Sequence, residues 1–357
     1  MTPSAASAAI PAPDRPGTVI ITGGSSGIGR CTAGLFAQRG WRVGLIARGM
    51  PGLLHAADSV RMHGTKVAIA RADVTEPDAL AQAAETLVLA LGTPSIWINC
   101  AGNGVYGRFA AVPEAQFDRV TAVTYGGTVN GCRVALALMR PRQRGTIVNV
   151  CSAIAFHGMP LMTSYAGAKA AVRGFGQALR AELRMEGSGI RVSTVFPPAV
   201  NTPFFSHAIS HMGWPARPAH PVYQPEVIAE GIYLAAMRGQ AEANVSGTAA
   251  AFALATRLVP GLIALAMTRL GFDGQLTQDP EAVALQEPTL FKPSDTASGV
   301  HGPFGRYARG MSMHLWVSRQ IEKARKMFFF DKKNQKTFVR LEAQPGWRVG
   351  STVEAQE

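Results

Sequence analysis

Ser152, Tyr165 and Lys169 are the residues of this 357-residue chain whose types and spacing could do chemistry together. Tyr165 and Lys169 stand four apart, so on a helix they share one face a turn apart. Ser152 lies thirteen residues before Tyr165, just past the apolar run Thr146-Ile147-Val148-Asn149-Val150. A hydroxyl at a strand end, facing a phenol and an ammonium on the next helix, is a layout for moving a proton to and from oxygen. Tyrosine titrates near pH ~10, and a nearby cation favours the phenolate and brings it closer to neutrality. A Tyr-x-x-x-Lys standing alone is better explained as a helix-face aromatic beside a solvated charge. The surrounding elements tip the balance.

Thr18–Thr22 is a short apolar run that ends in Gly23-Gly24-Ser25-Ser26-Gly27-Ile28-Gly29, followed by a helical pattern closing at Gly40. Strand, glycine turn and helix together lay a pyrophosphate on backbone N–H groups at a helix N-terminus. The spacing is G-x-x-x-G-x-G and not the general G-x-G-x-x-G. A second strand, Arg42–Ala47, ends at Arg48, where an adenosine ribose would be read. An acid there would hold a 2′-hydroxyl, whereas an arginine suits a 2′-phosphate. Ala47 occupies the acid's place and Ser25 and Ser26 add hydroxyl donors, so NADP(H) is expected in preference to NAD(H). The alternative makes Arg48 a surface charge at a strand end. A third strand, 67–70, leads to Asp73-Val74, placed to bracket an adenine ring, and a fourth, Ile96–Asn99, runs into Cys100-Ala101-Gly102. Helices are expected over 50–63, 76–91 and 113–140. The alternation predicts an α/β fold: a doubly wound parallel sheet of about seven strands with ligands at its carboxyl edge.

Beyond the trio, a helix from Tyr165 places Val172, Phe175, Leu179 and Leu183 on one face and ends by Gly187. A strand, Ile190–Phe196, then meets the rigid turn Pro197-Pro198-Ala199-Val200-Asn201-Thr202-Pro203. Residues 204–222 lack periodicity and read as a lid. His207 and His211 stand four apart, but no third ligand has motif spacing, so no metal is expected. A helix from Pro225 to about Arg238 and a strand near Val245 complete the sheet. Ala249–Met267 is apolar but broken by Arg257 and Pro260, and its uninterrupted part, Leu258–Met267, is half the roughly 20 residues a membrane span needs. It reads as a packed helix or an interfacial one. Residues 272–310 look irregular, and Arg325–Lys333 interleaves aromatics with lysines, a composition suited to a membrane interface or to a solvated helix end.

Apolar content of 47% and charged content of 16% describe a folded protein with a greasy surface. Cys31, Cys100, Cys132 and Cys151 have no paired spacing and read as reduced core residues of an intracellular, cytoplasmic protein. Residues 1–16 read as a disordered tail, 17–250 as the nucleotide-binding catalytic domain, and 251–357 as a basic, partly helical extension. Of the formal charge of +12, a surplus of eight lies between His301 and Arg340, with ten Lys/Arg against two acids. The basicity belongs to the extension, which argues against a nucleic-acid-binding core and allows contact with the inner face of an anionic membrane.

Together, Thr22-Gly23-x-x-x-Gly27-x-Gly29, Asn99-x-Ala101-Gly102, Ser152, Tyr165-x-x-x-Lys169 and Pro197…Thr202 resemble the short-chain dehydrogenase/reductase family over about 18–250. The later part resembles a bacterial subgroup with a C-terminal extension. The resemblance implies that the tyrosine donates or removes the proton, the lysine lowers its pKa and binds the ribose, and the serine polarises the carbonyl. It also implies that Thr202 and backbone near Val200 hold the nicotinamide carboxamide, with Asn99, Ala101 and Gly102 in the cofactor site. Three positions depart from the pattern: Cys100 within the Asn-Ala-Gly motif, Pro198 where glycine is common, and Thr124 in the place of the family's fourth catalytic residue, an asparagine. A threonine there implies a slower proton relay. The expected activity is interconversion of a carbonyl and a secondary alcohol on a hydrophobic substrate lined by Phe156, Met159, Met162, Phe204 and Phe205, in a homo-oligomer. The rival expectation is an NADP(H)-binding sensor or scaffold that has lost useful catalysis.

Overall fold

A computed structural model describes residues 16–294, 296 and 299–320. The run at 325–333 and all but the last residue of the expected N-terminal tail lie outside the described residues. Seven short apolar segments form the central sheet: β1 (Thr18–Thr22), β2 (Arg42–Ala47), β3 (Val67–Arg71), β4 (Ile96–Asn99), β5 (Gly145–Val150), β6 (Ile190–Phe196) and β7 (Glu242–Asn244). All pair in parallel, in the order β7-β6-β5-β4-β1-β2-β3. Alternate side chains go to opposite faces, so Val19 and Ile21 join one core layer while Ile20 joins the other; Ile96 and Ile98 separate from Trp97 in the same way. Both faces are therefore covered, as a parallel sheet requires.

The helices follow in chain order: α1 (Gly27–Gln38), α2 (Met50–Arg61), α3 (Pro77–Leu91), α4 (Glu114–Thr121), α5 (Gly127–Met139), α6 (Thr163–Met185) and α7 (Pro225–Arg238). Phe36, Leu53 and Ile228 bring α1, α2 and α7 to one face. Leu80, Ala135 and Leu183 bring α3, α5 and α6 to the other. The strand order reverses between β1 and β4, and the parting of the connections there opens a crevice at the carboxyl edge.

The single helix expected over 113–140 is two helices joined by a π-helical turn at Ala122–Gly126. Gly126 and Gly127 weaken the hydrogen-bond ladder there, and a Cβ at Gly127 would collide with the Val74 side chain. The expected lid is partly regular. Phe204–His207 is one helical turn, and Ile209–Ser210 pairs with Val105–Tyr106.

The extension is woven into the domain. The expected boundary at residue 250 falls inside α8 (Gly247–Leu258), which is followed by α9 (Pro260–Leu270). Ala308–Arg309 pairs in parallel with Val222–Tyr223, which pairs with Ala199–Val200. A further helix begins at residue 313, and its Arg319 shares the Glu230 carboxylate of α7 with Arg39, which follows α1, at 2.5 and 2.7 Å. Burial works against that carboxylate, but hydrogen bonds from Arg319 and Arg39 outweigh it and hold the carboxyl below its ordinary range.

A depressed carboxyl stabilises the fold above its unfolded value of ~4.3 and loses that contribution as pH falls through the folded value. Glu230→Gln should therefore cost about 1–3 kcal/mol at neutral pH, because two guanidinium groups lose their acceptor. In urea unfolding the gap between wild type and variant should close below pH ~4; a gap independent of pH would remove the ion pair as its cause.

Candidate active site

The three residues singled out for proton transfer meet at the carboxyl edge of the sheet, in a cavity of about 720 Å³. Ser152 follows β5, and its Oγ accepts from the Ile154 amide at 3.4 Å. Lys169, 4% exposed on α6, donates from Nζ to the Val150 carbonyl at 2.7 Å. Cys151 Sγ donates to the Lys169 carbonyl at 3.2 Å, so strand end and helix are stitched in both directions. Leu161 turns the chain into α6 with φ 67°, a conformation that costs a non-glycine residue energy and is held here by a buried side chain. Tyr165 packs its ring on Phe204, with centroids 5.4 Å apart, and Lys169 Nζ lies 5.5 Å from the ring centre.

The electrostatics differ from the sequence-based expectation. Burial raises the Tyr165 phenol well above its ordinary value, and the hydrogen bond with Ser152 only partly opposes this. Burial likewise lowers the Lys169 ammonium. Desolvation of both groups, and not the expected pull of the ammonium, governs the phenol. Thr124 lies in the π-helical turn, buried and outside the cavity lining. Its Oγ1 has no hydrogen-bond partner among the described residues, and its carbonyl accepts from Thr128 Oγ1 at 2.8 Å. A Cβ built on Gly102 would come within 4.0 Å of Thr124 Oγ1 and 3.9 Å of Lys169 Nζ. Both polar groups border that glycine.

The glycine loop forms the cavity floor: Gly23, Ser25, Ser26, Gly27, Ile28 and Gly29 all line it. Gly23 holds φ 68°, and a Cβ on Gly29 would collide with the Gly23 carbonyl, so this close turn admits no side chain there. Asp73, Val74, Ala101 and Gly102 line the next stretch, and Pro197, Val200 and Thr202 the opposite wall. Asn99 does not line it. Its amide is buried below the sheet, accepting from Trp97 Nε1 at 2.8 Å and donating to Asn149 Oδ1 at 2.9 Å, so its role is to lock β4 to β5. Phe156 also leaves the expected lining, stacking on Phe196 at 4.6 Å, while Met159, Met162, Phe204 and Phe205 remain. His207 lines the cavity, whereas His211 lies outside it with Nε2 on Gln116 Oε1 at 2.7 Å.

Arg48 lines the cavity but is engaged by the extension. It donates to the carbonyls of Thr289, Leu290 and Phe291 at 2.5, 3.1 and 3.3 Å. Arg119, which no motif flagged, donates to the Leu290 carbonyl and pairs with Asp73, whose carboxyl is held below its ordinary range: burial opposes this, but the Thr75 amide and Arg119 prevail. Leu290 is buried against Val105 and Val120, and the Gly27 amide donates to the Gly299 carbonyl at 3.1 Å. Residues 287–294, together with Gly299, thus cross the Arg48 end of the crevice as a strap. Phe252 and Met267 add further wall from α8 and α9. Nothing local in the sequence announces these contacts, since each spans some hundred residues or more. Asn103 was also missed; its side-chain amide is buried in the lining with both polar atoms unpartnered among the described residues. A side-chain-free cradle, unpartnered amide groups and a buried ammonium beside a phenol fit a nicotinamide dinucleotide.

A family model described as short chain dehydrogenase matches residues 17–212. The chain is 29% identical over 287 residues to YxnA, an uncharacterized oxidoreductase of Bacillus subtilis, covering 79% of each protein. It is 32% identical over 197 residues to the 3-ketodihydrosphingosine reductase of Bos taurus, covering 53% of this chain and 58% of that enzyme. Among solved structures, a single-residue variant of actinorhodin polyketide ketoreductase with NADPH superposes with a TM-score of 0.60 at 25% identity, covering 66% of this chain and 97% of that one.

Two cysteines line the cavity, Cys100 and Cys151, and burial pushes their thiols up to about 12 and about 11, with Lys169 opposing. At pH 8 such groups carry thiolate fractions on the order of 10⁻³ or less. A disulfide reagent at that pH should label the native protein slowly and the urea-unfolded protein at once; rapid labelling of Cys100 in the native state would contradict the burial.

Proposed function

This chain belongs to the short-chain dehydrogenase family, and from that premise we propose that it is an NADP(H)-dependent oxidoreductase interconverting a hydrophobic ketone or aldehyde and its alcohol, with Tyr165 as general acid/base. The observation that carries the reading is the convergence of Ser152, Tyr165 and Lys169 at one cavity with the glycine loop. When bound, the nicotinamide supplies or accepts the hydride. The chain's own residues hold the proton. A phenol raised by burial is protonated at neutral pH, so Tyr165 stands ready to give its proton to a carbonyl oxygen as that oxygen gains charge. Ser152 orients the same oxygen. Lys169, held by Val150, keeps positive charge beside the phenol as it becomes phenolate. Thr124 Oγ1, bordering Gly102 with Lys169, is the positioning group for proton resupply.

The sign of the pH dependence follows. Reduction needs the protonated phenol and oxidation the phenolate, so oxidation should gain as pH rises toward the phenol's raised value. The NADP(H) preference rests on Arg48. Asp73 is held mainly by Arg119 and lies 4.0 Å from the Arg48 guanidinium, so a 2′-phosphate would share Arg48 with that carboxylate while carbonyls fix its position. The hydrophobic substrate rests on the walls from Met159, Met162, Phe204, Phe205, Phe252 and Met267. The bovine relative named as a 3-ketodihydrosphingosine reductase is in keeping with a lipid-like carbonyl. A second reading, a nucleotide-binding sensor of low turnover, is favoured by Thr124, whose Oγ1 stands without a hydrogen-bond partner among the described residues at the position where the family's pattern has an asparagine.

Tyr165→Phe should lower kcat at least ~10³-fold across a panel of apolar ketones while NADPH still binds, as read by cofactor fluorescence. Unchanged turnover would remove the mechanism, and wild-type binding without turnover of any carbonyl would favour the sensor. Arg48→Ala should raise the Kd for NADPH by ~10-fold or more and that for NADH far less; equal losses would undo the preference.

A further inference from the structure

α8 and α9 form a helical hairpin bent by 115° at Val259-Pro260, and its outer side exposes five large apolar side chains. Leu254, Leu258, Val259, Leu262 and Leu265 are 57%, 70%, 41%, 65% and 47% exposed and cluster around the bend. Of the described side chains in the two helices, only Ala249 is buried. A soluble surface seldom gathers so many leucines without a partner. Neither helix alone is long and apolar enough to cross a bilayer, and two short apolar helices joined by a sharp bend suit an interface.

We propose that this hairpin is a docking surface for an anionic lipid membrane, and that it sets the mouth of the catalytic cavity against the bilayer. Charge decides the occupant. Residues 247–272 contain no acid, Arg257 is exposed beside the leucines, and the chain from 301 to 340 adds a surplus of eight positive charges. An anionic headgroup layer complements that set. A second copy docked through the same patch would bring Arg257 toward its own counterpart, with no acid in the hairpin to oppose it. The inner side of the hairpin supplies the rest of the argument. Phe252 and Met267 line the cavity that holds Tyr165, so the leucines and the substrate walls are opposite sides of one element. An apolar carbonyl dissolved in the membrane would reach the phenol without crossing water. That last clause rests on the hydrophobic-substrate reading; the docking itself does not.

The test is flotation of the full-length protein with phosphatidylcholine vesicles, with and without phosphatidylserine, in the presence of NADPH. The wild type should float with the anionic vesicles and less with the neutral ones. The double variant Leu258→Asp/Leu262→Asp should lose vesicle partitioning by ~10-fold or more while retaining NADPH affinity and thermal stability. Equal flotation of wild type and variant would overturn the proposal, as would a wild type that stays with the soluble fraction. A wild-type dimer on gel filtration that the variant converts to monomer, without flotation of either, would assign the patch to a second copy and overturn it too. NADPH affinity and turnover of a water-soluble ketone report separately on the oxidoreductase reading.

Discussion

An ammonium buried to 4% exposure must find an acceptor, and in this protein Lys169 finds the carbonyl of Val150 at the last residue of β5. That bond fixes the height of α6 against the sheet. Because Tyr165 is one turn before Lys169 and Ser152 two residues after Val150, the same bond sets phenol and hydroxyl opposite each other. The return bond from Cys151 Sγ to the Lys169 carbonyl resists sliding of helix past strand. Burial lowers the pKa of that ammonium, so its charge responds to any negative charge that develops beside it.

The desolvation that makes Lys169 responsive also keeps the Tyr165 phenol protonated. A single apolar surrounding thereby poises the pair as an acid. The surrounding comes partly from the lid residues Phe204 and Phe205 and partly from the extension, which closes the cavity from two sides. The hairpin of α8 and α9 supplies Phe252 and Met267 to the wall, and the strap supplies Thr289, Pro293 and Ser294. The strap is anchored by Leu290 in the core and by carbonyls that face Arg48 and Arg119. Without it those two arginines would lack their backbone acceptors. The extension is therefore a structural member of the site, although it follows the matched family region in sequence.

Much of the fold was legible in the residues because its signals are local. A continuous apolar run such as Val19-Ile20-Ile21 marks a strand covered on both faces, and glycine-rich turns after a strand mark a close approach. The seven parallel strands and the meeting of Ser152, Tyr165 and Lys169 followed from such signals. The break between α4 and α5 did not, because a π-helical turn keeps nearly the same apolar spacing as a continuous helix. Asn99 and Phe156 were placed at the site by position in the chain. Which way a strand-end or loop side chain turns depends on neighbours fifty or so residues away, here Asn149 and Phe196.

The sequence by itself determined the order of strands and helices, the glycine cradle, and the trio of proton-handling residues, since each is written within a few turns of chain. Tertiary structure alone decided how strongly the phenol is desolvated, what Arg48 touches, and how the extension closes over the crevice. Those depend on packing between segments as much as 272 positions apart, as Gly27 and Gly299 are, and no periodicity within either segment encodes the other.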